Sequence, residues 1–256
     1  MASKKIEFTL SNSKSFSEWL KRFAVIDNTL LLEINEPTQE FIAKSYNEER
    51  SVVKRSQIKF EDAGFTYKLS KDPKAVKVGI YNISRLIKIM EQFNNAEFSI
   101  TFNCEELTSE NIFAGTSIAF NNKSLKMSID CTSISIFKPI TDDKFNTVIA
   151  TATPIVEFYL HKENIMKINS LCGLDNDNKY MAFKTQNNSI YASGKTFDLL
   201  LEENKVAQPY SIDVFKEQFQ NVDIENYEIV IGDDRMIFKS SDSNTVTVIS
   251  MVEKSE

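Results

Sequence analysis

The sequence is poor in the residues that break or cross-link a polypeptide. Its 256 residues include six glycines, five prolines and three cysteines. So few glycines and prolines exclude a collagen-like chain or a long flexible linker. The cysteines Cys104, Cys131 and Cys172 are widely spaced and odd in number, so the sequence predicts neither a disulfide framework nor a cysteine-rich zinc site.

Histidine is almost absent, which leaves little material for catalysis. His161 is the single histidine; a Ser-His-Asp triad or a multi-histidine metal site would need it, but we expect it to be exposed or to cap a helix. Residues 175–178 begin like a calcium loop, but Tyr180 stands where that loop requires glycine. The acidic pairs 142–143 and 233–234 fall in predicted turns, and no glycine-rich phosphate loop is present. The sequence therefore predicts a protein that is not an enzyme and holds no cofactor or metal.

Long hydrophobic runs are also missing. The apolar stretch 146–156 is too short to span a bilayer, and the first residues lack the apolar core of a signal peptide. We therefore expect no membrane partner and a cytoplasmic location. The net charge of −6 by itself argues weakly against nucleic-acid binding, since such domains are usually basic.

A repeated pattern of strands and helices fills most of the chain. Period-two runs predict many short antiparallel strands, and an apolar stripe predicts helices at 14–26, 82–95, 161–173 and 213–222. A short strand precedes each helix and several strands follow it, so the pattern occurs four times, twice in each half. We predict an α+β fold with two similar domains, 1–140 and 155–256, joined by a connector at 141–154.

The charge is unevenly divided between the helices and the remaining chain. The polar faces of the four predicted helices carry eight basic and five acidic residues, although the whole chain is acidic. If the helices pack on one side of the sheets, that side is positive and can meet phosphates without reading bases. The basic residues are Lys14, Lys21, Arg22, Arg85, Lys88, Lys162, Lys167 and Lys216.

This fourfold layout, with two matched halves and a connector, resembles the DNA polymerase sliding clamp, in particular the phage-type, PCNA-like clamp with two domains in each chain. The stretches that carry the likeness are 78–89 before the second helix, 135–139 at the end of the first half, and the terminal strand 246–253. The resemblance extends over residues 6–253. The inserts at 103–115 and 138–153 look longer than a compact phage clamp needs.

The resemblance implies a ring-forming homotrimer that encircles double-stranded DNA without sequence specificity. Such a clamp tethers the replicative DNA polymerase, raises its processivity and is loaded by a clamp loader; a phage clamp works in the cytoplasm of the infected host. The eight basic residues would then face the duplex, and edge strands at 126–137 and 196–201 would pair between subunits. Partner proteins would dock a hydrophobic peptide in a pocket formed by Phe145, Val148, Ile149, Ile249, Met251 and Val252.

Three other functions stay open at this point. The chain could be a monomeric or dimeric processivity factor of the same fold that binds DNA directly. It could be a β-rich viral structural or interaction protein. A hydrolase with an acidic site would instead depend on Asp142 or Asp233.

Overall fold

The computed structural model describes residues 2–68, 70–93, 96–107, 112–138, 140–175, 177–203 and 209–252. The chain divides into two compact units. Unit 1 comprises residues 1–45 and 55–139, and unit 2 comprises residues 46–54 and 140–256. Both are mostly strand with few helices, which confirms the predicted α+β class. Part of the predicted insert, 108–111, and the end of the terminal strand at 253 lie outside the described residues.

Among the described residues, nine strands belong wholly or partly to unit 1. They are β1 (Ser3–Leu10), β2 (Leu30–Asn35), β3 (Glu40–Tyr46), β4 (Val52–Lys59), β5 (Phe65–Tyr67), β6 (Ala75–Ile80), β7 (Phe98–Leu107), β8 (Ile112–Asn121) and β9 (Lys126–Asp130). The strand order is β4–β3–β2–β6–β8–β7–β1–β5, and β9 lies beside the end of β8. Antiparallel pairing prevails as predicted, but β6 and β8 run parallel, with Val76 opposite Phe113.

Two helices, α1 (Lys14–Ala24) and α2 (Ile83–Glu91), cover the apolar core of unit 1. They fall inside the predicted segments 14–26 and 82–95. Strand β2 shows why the sheet has one apolar face: buried and half-buried residues alternate along it, because successive side chains point to opposite faces. Aromatic rings dominate the core, and the ring of Phe8 lies 4.9–5.0 Å from those of Phe60 and Phe65.

Glu36 is a buried carboxylate in unit 1. The side chain of Glu36, just after β2, is fully buried. Its Oε2 accepts hydrogen bonds from Lys4 Nζ at 2.6 Å and from the Lys74 backbone N–H at 2.9 Å, and its Oε1 accepts from the Tyr67 hydroxyl. Burial alone would raise the pKa of Glu36, but these hydrogen bonds hold it below its ordinary value. The ionised carboxylate therefore ties together β1, β5 and the approaches to β2 and β6.

The described residues of unit 2 form two sheets and three helices. One sheet has the order β10 (Val156–Leu160), β15 (Tyr227–Ile231), β16 (Arg235–Ser240) and β17 (Asn244–Ser250). The other has the order β13 (Asp198–Glu202), β12 (Ser189–Ser193), β11 (Tyr180–Gln186) and β14 (Ser211–Phe215). The helices are α3 (Asp142–Ala150), α4 (Lys162–Leu174) and α5 (Lys216–Phe219).

Two elements of unit 2 differ from the sequence predictions. The predicted helix 213–222 is wrong over its first turn, because Asp213 and Val214 pair with Ala182 and Met181 in a sheet. Only the four-residue α5 follows. Helix α3 occupies most of the predicted connector, where no helix was expected.

The sheet that contains β15, β16 and β17 is apolar on both faces. Phe238 and Ile249 belong to the main core of unit 2, whereas Ile237 and Val248 belong to a separate cluster with Phe145 of α3. The two clusters lie on opposite faces because adjacent strand residues point in opposite directions.

Candidate nucleic-acid interface

Helices α1 and α2 pack against each other and present a positive surface. Four cations of this α1–α2 surface are exposed, and Arg22 is half-buried. The two helices together carry five basic and only two acidic residues. Glu18 lies 4.0 Å from Lys14; this exposed contact is too weak to cancel the surplus. The members of the α1–α2 surface are Lys14, Lys21, Arg22, Arg85 and Lys88.

Hydrogen bonds at its N-terminus fix the position of α2. The Asn82 side chain accepts a hydrogen bond from the Arg85 backbone N–H at 2.7 Å and so caps the helix. Asn28, in the loop after α1, accepts from the backbone N–H of Ser84 at 3.0 Å and from its hydroxyl at the same distance. The start of α2 is therefore tied to the end of α1, which sets where Arg85 projects.

The helices of unit 2 carry fewer exposed cations than α1 and α2 do. Lys162 and Lys167 of α4 are exposed, with Glu163 beside them. The helical positive charge is thus concentrated in unit 1. Because the side chains in both units are simple cations on exposed helix faces, the chemistry available is attraction of phosphate groups without base recognition.

Lys216 does not belong to this interface, so the prediction that it faces the duplex is wrong. It is 7% exposed, and its Nζ donates to Asp175 Oδ2 at 2.9 Å and to the Asp175 backbone oxygen. The hydrogen bond from Lys216 is the main reason why the pKa of Asp175 lies below its ordinary value. Sequence reasoning missed this pair because its members lie far apart in the chain and no local pattern joins them.

The residues predicted for a partner-peptide pocket fall into two groups. Phe145 is 1% exposed and packs with Val148 and Ile149 in the cluster between α3 and the sheet. Ile249 is fully buried in the main core of unit 2, with Met251 packed against that core. Ile249 therefore cannot line a pocket with Phe145, and this part of the prediction is wrong. Val252 is half-buried, and its backbone N–H donates to the Asp213 oxygen at 3.0 Å.

The residues considered for catalysis lie on different elements of unit 2. His161 is exposed at the N-cap position of α4, its ring 4.8 Å from that of Tyr159. Asp142 opens α3, and Asp233 is exposed in the turn between β15 and β16. Within the described ranges, no group of three or more His, Cys, Asp or Glu side chains could hold a metal ion.

The cysteines are poor nucleophiles in this environment. Burial raises the pKa of the Cys104 and Cys131 thiols to about 12, and it also raises that of Cys172. Each thiol is therefore protonated at neutral pH, whereas the thiolate is the reactive form. Among the helices that the structure describes, none is long and apolar enough to cross a membrane.

Comparison with solved structures identifies the fold. The A. fulgidus PCNA in "C-terminal region of FEN-1 bound to A. fulgidus PCNA" is 9% identical to this chain with a TM-score of 0.64, and the match covers 98% of this chain and 100% of that one. The PCNA of Entamoeba histolytica is 10% identical with a TM-score of 0.65, covering 96% and 98%. The DnaN sliding clamp of Pseudomonas aeruginosa bound to griselimycin is 10% identical with a TM-score of 0.64, covering 99% and 66%. The chain therefore has the DNA sliding clamp fold, as the resemblance predicted.

The sequence is about 10% identical to those of these three structural neighbours. No family model matches it, and no curated protein matches it. The chain spans about two thirds of the length of the bacterial clamp, whereas it spans nearly the whole of the PCNA chains. All three proteins share the fold with this chain, and the two PCNA chains also match it in length.

Proposed function

We propose that this chain is a sliding clamp that encircles duplex DNA and tethers the replicative polymerase, and that it is not itself an enzyme. The observation that carries the proposal is the α1–α2 surface on a sliding clamp fold: five cations and two anions on two helices of a chain with net charge −6. A ring that slides needs weak, sequence-independent attraction to phosphates, which such a surface supplies.

Two strand edges support assembly into a homotrimer. Among the described strands, β9 pairs on one side with β8, and β13 ends the sheet of β11, β12 and β14. One exposed edge in each unit suits head-to-tail pairing between copies, which closes a ring when the rotation permits.

The partners follow from the same proposal. The clamp would bind the polymerase and be opened on DNA by an ATP-driven clamp loader. The name of the A. fulgidus PCNA structure includes FEN-1 as a bound protein, and a replication protein is the class of partner that we propose for this chain. A phage origin and action in the host cytoplasm stay predictions of the sequence resemblance.

Primer extension on circular and linear templates tests enclosure. With the replicative polymerase and the clamp loader of its source, we expect this chain to raise processivity on a circular template and to lose that effect when free ends let the clamp slide off. Stimulation that is equal on both templates would refute encirclement and favour direct DNA binding by a monomer or dimer.

Charge reversal tests which face meets the DNA. We expect Lys21→Glu combined with Lys88→Glu to reduce clamp-dependent synthesis at least tenfold, with a steeper loss as salt rises. The matched control, Lys59→Glu with Lys71→Glu, changes the same charge at exposed positions outside the helices and should act like the unmodified chain. Equal effects of the two pairs would show that the α1–α2 surface is not the DNA-facing side.

A further inference from the structure

The face of the unit 1 sheet that points away from α1 and α2 contains a groove of about 770 Å³. Strands β1, β7 and β8 form its floor, with β5 at one side and β9 at the other. Along β1, Ile6 and Phe8 are buried in the core that the two helices cover. The alternate residues Lys5 and Glu7 therefore point to the opposite face, into the groove. We call it the unit 1 groove, and it is separate from the α1–α2 surface.

Short polar and small side chains make up the floor of the unit 1 groove. Thr9 of β1 lies opposite Ser99 of β7, and Ser99 lies opposite Asn121 of β8. In the neighbouring row, Thr101 of β7 lies opposite Ala119 of β8. The floor therefore offers hydroxyl and amide groups for hydrogen bonds, and its side chains are short enough for a peptide backbone to lie close to them.

The aromatic residues that line the groove do not present an exposed ring. Phe8 and Phe120 are each 1% exposed, and Tyr67 is half-buried. The Tyr67 ring lies 5.3 Å from the rings of Phe8 and Phe60, and its hydroxyl donates to Glu36. Proteins that bind single-stranded nucleic acids stack the bases on exposed aromatic rings, so this floor does not suit them.

Three lysines make the unit 1 groove positive in an acidic protein. Lys5, Lys68 and Lys126 are exposed and line it together with one carboxylate, that of Glu7. None of the ion pairs among the described residues involves any of the three lysines. The groove therefore carries a surplus of two positive charges, whereas the whole chain carries −6. This contrast attracts an anionic occupant to the groove.

Two of these lysines are too far apart to share one anionic group. Lys5 is four residues from Thr9 along β1, which is about 13 Å. Lys126 lies opposite Asn121, three strands away from Thr9, which adds about 14 Å across the sheet. The Cα atoms of Lys5 and Lys126 are therefore roughly 20 Å apart. An occupant that meets both lysines is elongated and carries separate negative groups.

We propose that the unit 1 groove binds an extended acidic segment of a partner protein. The carboxylates of the segment meet the lysines, its backbone lies along the polar floor, and an uncharged residue that donates a hydrogen bond lies at Glu7. A nucleic-acid strand carries a phosphate on every nucleotide and would bring one against the Glu7 carboxylate. A peptide can leave that position uncharged, which is why it suits the groove better than a single strand of DNA or RNA.

Neutralising the lysines tests the site. The probe is a fluorescent peptide of about eight residues, long enough to span roughly 20 Å when extended, with glutamates towards both ends and glutamine in the middle. At low salt we expect its binding to weaken at least tenfold in the groove variant, which combines Lys5→Gln, Lys68→Gln and Lys126→Gln. The control removes three exposed lysines outside the groove and should bind within twofold of the unmodified chain; it combines Lys59→Gln, Lys144→Gln and Lys179→Gln. Equal losses in the two variants, or no binding to the unmodified chain, would overturn the proposal.

A charge exchange at Glu7 tests how the segment lies in the groove. A second peptide, with glutamate in place of the middle glutamine, should bind the unmodified chain at least threefold more weakly, because two carboxylates then meet. Glu7→Gln should remove the difference between the two peptides by binding the second one more tightly, a gain that an unfolded variant cannot show. The control Glu91→Gln, at an exposed position on α2, should keep the difference. A difference that persists in Glu7→Gln would contradict the proposed placement.

Competition distinguishes the acidic segment from other occupants. Oligothymidine with the same number of charges should leave the first peptide bound to the unmodified chain. Displacement of the peptide would overturn the proposal and assign the groove to nucleic acid. Lys21→Glu combined with Lys88→Glu changes the α1–α2 surface and should leave peptide binding within twofold. A loss as large as that of the groove variant would show that the peptide binds the α1–α2 surface instead.

The unit 1 groove does not depend on the proposed function. None of these measurements uses duplex DNA or a polymerase, so the groove can fail its tests while encirclement holds, and the reverse. The groove is also compatible with a ring: side chains of β9 stand on the faces of the sheet, so pairing of a second copy at the free edge of β9 leaves Lys126 in the groove.

Discussion

Replacing Glu36 by glutamine removes the buried charge around which unit 1 is organised, and we expect it to lower stability strongly at neutral pH. The amide keeps the size of the side chain but cannot pair with Lys4 as an ion or accept from every donor around it. Breaking a buried ion pair usually costs 3–5 kcal/mol. Lys4 is 11% exposed and retains the Asp72 backbone oxygen at 2.6 Å and Ser70 Oγ at 3.2 Å, so we expect a loss of about 2–3 kcal/mol.

The pH dependence of this loss follows from the pKa of Glu36. The pKa is below its ordinary value in the folded state, so the carboxylate stabilises the fold above the unfolded pKa of about 4.3 and this contribution disappears as the pH falls through the folded value. The difference between the native chain and Glu36→Gln should therefore shrink between pH 5 and pH 3.

Urea unfolding followed by the fluorescence of Trp19 is a suitable assay, because Trp19 is the single tryptophan and is buried in unit 1. With a slope of about 2 kcal/mol per molar urea, the midpoint at pH 7 should fall by about 1–1.5 M. Glu97→Gln, at an exposed position, is the control and should leave the midpoint within about 0.2 M. An unchanged midpoint for Glu36→Gln, or a shift as large at pH 3 as at pH 7, would refute the reasoning.

Two other substitutions test the helices. Lys216→Met should lower the urea midpoint, because it leaves the buried Asp175 carboxylate without its cation. The folded variant should still support synthesis on circular DNA as well as the native chain does. A selective loss of DNA retention would instead indicate that Lys216 contacts the DNA. The stabilisation should fade at low pH, since the pKa of Asp175 is lowered. Asn82→Ala removes the cap of α2 and should cost about 1 kcal/mol, measured by urea unfolding; no change would mean that Asn28 alone holds this end of the helix.

The periodicity of the sequence was sufficient to predict the helices that have a complete apolar stripe. Phe16, Leu20 and Phe23 mark one face of α1, and the structure buries all three. Helix α3 escaped prediction because it offers one buried residue and lies among prolines, which is typical of a linker. The segment that begins at 213 looked helical because Phe215, Phe219 and Val222 repeat at helical spacing. In the structure, residues 211–215 instead pair as a strand with β11.

The candidate site was predictable only where exposure follows from local structure. Lysines opposite an apolar helical stripe are exposed in α1, α2 and α4. Lys216 is an exception, because it is buried against the carboxylate of Asp175 from another part of the chain. Phe145 and Ile249 were predicted to line one pocket, but Ile249 lies in the main core of unit 2 and its neighbour Val248 lies in the cluster with Phe145. Adjacent side chains of a strand point to opposite faces of the sheet.

By itself, the sequence determined the α+β class, the fourfold order of strands and helices, and the excess of cations on helices, because periodicity and local charge are properties of neighbouring residues. Only the tertiary structure decided which predicted DNA-facing lysine is buried against a distant carboxylate, which strands lie at sheet edges, and which apolar face α3 covers. Those outcomes depend on contacts between residues far apart in the chain, and desolvation and packing at such contacts have no local signature.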